Sequence, residues 1–176
     1  MKKYSSLVIA AMLFSTALFA QPGPNATASS GQVTLADNST VSGIIKDNIQ
    51  KKGEVTVEAN GKKTKYGAGE ISGVQFGTTK FITQNYTFYE VITEGKNFTL
   101  FRKANDPSGI QYSGNDPIAI SSEGDVDDLF VKKSGTNILQ LITKKNVKEV
   151  LGACANGYDA TKFDVESVSN LLKSCN

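Results

Sequence analysis

The chain has 176 residues, with 19 Lys plus Arg against 17 Asp plus Glu, a formal net charge of +2 and no histidine. The missing histidine excludes a Ser-His-Asp or Cys-His catalytic arrangement and a His-ligated zinc. No Walker A sequence and no G-x-G-x-x-G after a strand pattern is present, which removes the common phosphate-cradling loops.

Residues 1–20 read as a secretory signal peptide. Lys2 and Lys3 precede an apolar stretch from Leu7 to Phe19, and Ala20 offers a small residue at the cut. The stretch is too short, and wrongly flanked, for a transmembrane helix. No cysteine follows it that could carry a lipid anchor. Without the two leader lysines the basic count is 19 − 2 = 17, equal to the 17 acidic residues. A neutral mature chain gives no bulk attraction for nucleic acid or an anionic membrane. Its 176 − 20 = 156 residues suit a single domain with a real core.

Residues 21–32 (QPGPNATASSGQ) have the composition of a flexible linker, so the domain is expected over 33–176. Its first part, 33–142, patterns as β. Val33 and Leu35 alternate with polar residues, Asp37-Asn38 marks a turn, and Val41 to Ile45 resumes with Gly43 inside, where a bulge or sharp bend is expected. Asp47-Asn48 then breaks the run. Asn60-Gly61 is the preferred pair for a two-residue type I′ hairpin. It sets Ala59 opposite Lys62, Glu58 opposite Lys63, Val57 opposite Thr64 and Val55 opposite Tyr66. One face of that hairpin is apolar and the other carries Glu58 and Lys63. Ile71, Val74 and Phe76 lead into a further strand. The rhythm of Val33 to Phe76 resembles a small SH3-like or Sm-like barrel.

Phe88 to Phe101 (FYEVITEGKNFTLF) alternates large side chains on both faces, so a central hairpin buried on both sides is expected. Glu94-Gly95 is its expected turn, in a two-residue loop or in a three-residue loop with Gly95 left-handed; the two registers differ by one residue. Ala104 to Glu123 is dense in turn dipeptides, with Ile110, Tyr112, Ile118 and Ile120 as its apolar anchors. Asp127 to Ile142 reads as a third hairpin turning at Ser134-Gly135. The last part, 143–176, is helical: Thr143 can cap one helix stopped by Gly152, and Asp164 a second with a Val165, Val168, Leu171, Leu172 stripe. The only cysteines, Cys154 and Cys175, lie at the ends of these helices. An even pair in an exported chain reads as a disulfide, and the alternative of a thiol site lacks a histidine base. The expected fold class is therefore α+β. It is mainly antiparallel, a bent small barrel or sandwich of hairpins, with a disulfide-linked helical pair at the C-terminus.

Several pieces together carry a resemblance: the leader ending Phe19-Ala20-Gln21, Gly43-Ile44-Ile45, Lys65-Tyr66, Glu70-Ile71, Phe88-Tyr89-Glu90-Val91 with Glu94-Gly95-Lys96, and the terminal helices with Cys154 and Cys175. The chain resembles a family of uncharacterised secreted proteins of Bacteroidetes. The resemblance implies an envelope or extracellular location and brings no catalytic residues with it.

Two sets of side chains are candidates for chemistry. Glu90 lies between Phe88 and Ile92 on one strand face, where a covered carboxylate would be a catalytic candidate; pairing with Arg102 or Lys96 is the structural alternative. Glu123, Asp125, Asp127 and Asp128 offer hard oxygens of the kind calcium takes, without EF-hand spacing, and a solvated turn is the alternative. No cofactor is expected. The expected function is an exported, non-catalytic module of the periplasm or exterior that binds a protein, peptide or glycan. A carboxylate-dependent hydrolase and a structural component of the envelope are the other readings.

Overall fold

The computed structural model describes residues 28–107, 109–113, 116–120 and 122–175, without the side chains of 109–120. The leader over 1–20, residues 21–27 of the linker, and the side chains of Ile110, Tyr112, Ile118 and Ile120 lie outside the described residues.

Ten strands form one open antiparallel sheet. In chain order these are β1 (Ala28–Leu35), β2 (Thr40–Asn48), β3 (Glu54–Ala59), β4 (Lys62–Gly67), β5 (Ile71–Phe76), β6 (Thr79–Gln84), β7 (Thr87–Glu94), β8 (Phe98–Lys103), β11 (Leu129–Lys133) and β12 (Leu139–Ile142). A short helix α1 (Ile49–Lys52) joins β2 to β3, and β9 (Gly109–Ser113) and β10 (Asp116–Ile120) form a separate two-stranded arm. Helices α2 (Val147–Leu151) and α3 (Val165–Ser174) close the chain. The class is α+β, as its pattern predicts, and Cys154 is bonded to Cys175 across 21 residues. A loop of that length contributes about 3 kcal/mol.

The spatial order is β12-β11-β8-β7-β6-β5-β1-β2-β3-β4. Strands β4 and β5 are thus four places apart, about 19 Å in a flat sheet. Yet Gly67 is joined to Ile71 by four Cα steps, which reach about 15 Å at most. The N-terminal strands must therefore curl until the end of β4 meets the start of β5. The sheet bends without closing. Backbone clearance permits that curl at Gly31 and Gly43, which face each other on β1 and β2. A Cβ at Gly43 would sit 2.5 Å from the Glu58 carbonyl oxygen, and one at Gly31 would strike the Gln75 carbonyl. The bulge expected at Gly43 is not there, since β1 and β2 pair without a shift through it. Irregularities fall instead between Thr34 and Leu35 and between Val91 and Thr93.

Strand β1 starts at Ala28, so residues 28–32 of the expected linker are paired strand. Five polar or small residues there carry no apolar alternation, and their order comes from pairing with Ile44, Ile45 and Lys46. The Asn60-Gly61 hairpin has the expected register throughout, with φ of 52° and 74° at its turn.

Directly opposed residues of an antiparallel pair share a face. One such row crosses the sheet as Val33, Val74, Phe81, Glu90, Arg102, Leu129 and Ile142. At its first end lies a core around Val33, Ile45, Val55, Val57, Val74, Phe81 and Phe88, wrapped by the curled strands. At its other end a second core gathers Leu100, Leu129, Val131 and Ile142 under Val147, Leu151, Val168 and Leu172 of the helices. The opposite face of the central strands carries a third cluster, Tyr89, Phe101 and Phe130. The Tyr89 and Phe130 rings meet edge to face at 5.2 Å. Hairpin β7–β8 is buried on both faces, as its two-sided pattern predicts.

Its tip differs from both expected loops. The three residues Gly95–Asn97 join Glu94 of β7 to Phe98 of β8, with Gly95 N donating to the Phe98 carbonyl at 2.9 Å, and Gly95 is not among the positive-φ glycines, so it lacks the left-handed conformation expected in a three-residue loop. Distant contacts hold it: Asn97 Nδ2 donates to the Cys175 carbonyl at 2.7 Å, Ser134 N to the Asn97 carbonyl at 2.9 Å, and Ser134 Oγ to the Lys96 carbonyl at 2.6 Å. The bulge at Ile92 turns Thr93 toward α3, where its hydroxyl bonds Ser169 in the interior. Helix α2 also starts later than Thr143. Thr143 N donates to Asn146 Oδ1 at 2.6 Å and Val147 N to the Thr143 carbonyl at 3.0 Å, a closed turn ahead of the helix. Asp164 caps α3 as expected, accepting from Ser167 N at 2.7 Å, with the Ser167 hydroxyl accepting from Asp164 N.

Replacing Gly43 by Ala should lower stability in urea unfolding by about 1–3 kcal/mol, because the added methyl meets backbone that cannot retreat without uncurling the sheet.

Candidate functional site

Glu90 on β7 and Arg102 on β8 stand directly opposite each other at the middle of the row, where an apolar pair would fuse the two cores. Arg102 Nε donates to Glu90 Oε2 at 3.1 Å, and its Nη2 donates to the same oxygen. The side chains are 36% and 23% exposed, so the pair is partly covered and open to solvent on one side. Of the two partners expected for Glu90, the ion pair is with Arg102. Ile92 does not follow Glu90 on a regular strand face, because the bulge makes it the extra residue.

A cavity of about 290 Å³ opens beside this pair, against the first core. Its floor comes from Ile49, Phe76, Phe81 and Ala104, all buried. The Phe76 and Phe81 rings lie stacked, 5.8 Å between centroids. Charge around it comes from Asp47, Glu90, Arg102 and Asp127. Each is placed by a local feature. Asp47 Oδ1 accepts from Ile49 N at 2.8 Å, an Asx-type bond that turns β2 into α1 and holds the carboxylate at the rim. Asp127 has φ of 73°, a left-handed position that aspartate tolerates better than most residues. Its N–H donates to the Lys103 carbonyl and Lys103 N to the Asp128 carbonyl, both at 2.9 Å.

The acidic run does not gather into a site. Asp128 Oδ2 accepts from Asp125 N at 2.8 Å, Glu123 is exposed, and only Asp127 of the four lines the cleft. Among the described residues no three His, Cys, Asp or Glu side chains are arranged to hold a metal. Asp127 instead shares the lining of this cavity with Asp47, whose only signal in the sequence was the end of a strand.

Lys103 has no distinguishing sequence signal either, yet it is fully buried. Its Nζ donates to the carbonyls of Glu123, at 3.3 Å, and Gly124, and lies 3.7 Å from Asp106 Oδ1. Asp106 in turn accepts from Ser122 Oγ at 3.2 Å. This one cation clips together the two ends of the excursion that carries β9 and β10, and so sets the position of Asp127 beside the cleft. A second surface depression, over β2, β3 and β4, is the wet face of the Asn60-Gly61 hairpin. There Lys63 meets Glu58 at 3.4 Å and Lys65 meets Glu54 at 3.0 Å.

On the far face, burial pushes the Tyr89 phenol above its ordinary value; a hydrogen bond with Thr87 opposes this and the charge of Glu123 adds to it. The fold therefore favours neutral Tyr89. Above the unfolded value near 10 the unfolded chain gives up this proton first, so stability falls as pH rises through the folded value. Alkaline unfolding should accordingly begin above pH 10, and Tyr89→Phe should make that limb shallower in pH-resolved thermal melts.

Removing one partner of the central pair should cost more than removing both. In a double-mutant cycle of Glu90→Gln and Arg102→Met, the coupling should be about 1 kcal/mol, the upper end for partly exposed pairs. Among the described residues no helix is long and apolar enough to cross a membrane. No protein-family model, curated protein or solved structure matches the chain.

Proposed function

We propose that this is an exported, non-catalytic module of the periplasm or exterior that binds a protein, peptide or glycan partner at the cleft beside Glu90 and Arg102. The cleft itself carries the reading: a concavity with an apolar floor and a few charged groups at its rim is the usual form of a binding site. Export is supported by the leader pattern of residues 1–20 and by the Cys154–Cys175 bond, which persists in oxidising compartments. Non-catalytic is supported by the lack of histidine and by the state of the carboxylates. Glu90 Oε2 is taken by two guanidinium N–H groups, and Asp47 is engaged with the α1 backbone.

Three carboxylates around one cavity favour a second reading, a carboxylate-dependent hydrolase, in which Glu90 would have to exchange Arg102 for substrate. The two are separated by one set of measurements on the mature chain. Immobilised on a surface and exposed to peptide and glycan arrays, it should bind saturably. Thr79→Trp, which fills the cleft from β6, should abolish that binding and leave the thermal midpoint unchanged. Turnover of any ester, peptide or glycoside by the purified protein, lost in Glu90→Gln, would establish the hydrolase instead.

A further inference from the structure

We infer that the cleft receives a cationic group on an apolar stem: the ammonium or guanidinium end of a lysine or arginine side chain, or of a small alkylamine. This rests on the binding reading above and adds the class of ligand. Size limits the choice first. At about 290 Å³ the cavity sits at the lower end of ligand sites, room for one long side chain and not for a stretch of polymer.

The floor limits it next. Ile49, Phe76, Phe81 and Ala104 are between 1% and 7% exposed, so what they offer a ligand is a narrow apolar base. A methylene stem fits such a surface.

Charge decides the head group. Arg102 is committed to Glu90 through two N–H groups on one oxygen, so that pair is neutral as seen from the cavity. Asp47 and Asp127 remain. Neither takes part in an ion pair among the described residues, and both line the same cavity, one from the end of β2 and one from the turn before β11. Two unbalanced carboxylates over an apolar base complement an ammonium or guanidinium on a carbon chain. An acidic ligand would add like charge, and a neutral one would cover the carboxylates without pairing them. Asparagine tolerates the left-handed backbone of position 127 as aspartate does, so the charge can be removed without disturbing the turn.

The test is an NMR titration of the labelled mature chain, following the backbone amides of Phe81, Glu90 and Asp127. The probes are Nα-acetyl-lysine methylamide, the arginine and norleucine analogues, the glutamate analogue and cadaverine. The lysine and arginine probes should shift the cleft amides saturably and at least about tenfold more tightly than norleucine, which has a similar stem and no charge. Asp127→Asn should weaken them roughly fivefold, while Asp125→Asn, on the same turn but outside the cleft, should change affinity less than twofold. Tighter binding of lysine within a tripeptide than of cadaverine assigns the cation to a protein partner. The reverse assigns it to a small amine, and either supports the inference. Norleucine or glutamate probes binding at the cleft as tightly as lysine would overturn the cation class and leave the binding module standing. If no probe moves these amides the cation inference fails, and the binding reading fails with it only if Thr79→Trp also keeps full array binding.

Discussion

The arrangement of this protein depends on one polar pair in an otherwise apolar row. Val33, Val74 and Phe81 on one side of Glu90–Arg102, and Leu129 and Ile142 on the other, are the ends of two separate cores on the same face of one sheet. An apolar pair at the crossing would let the cores merge, burying more surface at about 25 cal/mol per Å². A half-exposed ion pair offsets little of that loss. The pair therefore does not account for itself as a source of stability. It leaves the row partly exposed at this point, where the cleft lies beside it.

The rest of the fold supports that cleft from two directions. On one side, the three-residue link from β4 to β5 and the bare backbone at Gly31 and Gly43 force the early strands to curl, which swings the end of β2 and α1 over the sheet. That motion brings Asp47 and Ile49 to the cleft. On the other side, buried Lys103 binds the carbonyls of Glu123 and Gly124, so the excursion after β8 returns at a set place and Asp127 lands at the rim. A lysine with no exposed surface is costly unless its donors are used. Here the first core, the second core and the far-face cluster all border the strand that carries it. The tip of β7–β8 is fastened to the C-terminus through Asn97 and Cys175, so the disulfide that joins α3 to the end of the α2 segment also steadies the central hairpin.

What could be read from the sequence was what local chemistry determines alone. Asn60-Gly61 specifies a turn with two positive φ values, and the register of six residue pairs followed from it. The two-sided apolar pattern of Phe88 to Phe101, the Asp164 cap and the cysteine pair are likewise local or nearly so. Errors gathered where a partner far along the chain decides the outcome. The β7–β8 tip falls at Gly95–Asn97, where Ser134 and Cys175 bind it, and no turn preference of Glu-Gly foretells that. Residues 28–32 look like a linker until β2 pairs with them. Glu90–Arg102 was legible as one of two pairings because strand alternation places them near each other. Asp47 was not, because it reaches the cleft only through the curl of the whole N-terminal sheet, and Lys103 looks like any surface lysine until its shell is seen.

The same geometry bears on the choice between binding and catalysis at this cleft. A general base must reach a substrate proton with a free lone pair, and a general acid must hold a proton to give. Glu90 has one oxygen closed off by Arg102, and freeing it would break both N–H bonds of the pair. Asp47 would have to release the N–H that starts α1. Asp127 alone is unencumbered, and a single exposed carboxylate on a turn has no second group to orient it. A site for chemistry needs its groups poised and mobile in charge. Groups held in this way suit the proposed recognition of a cation better than proton transfer.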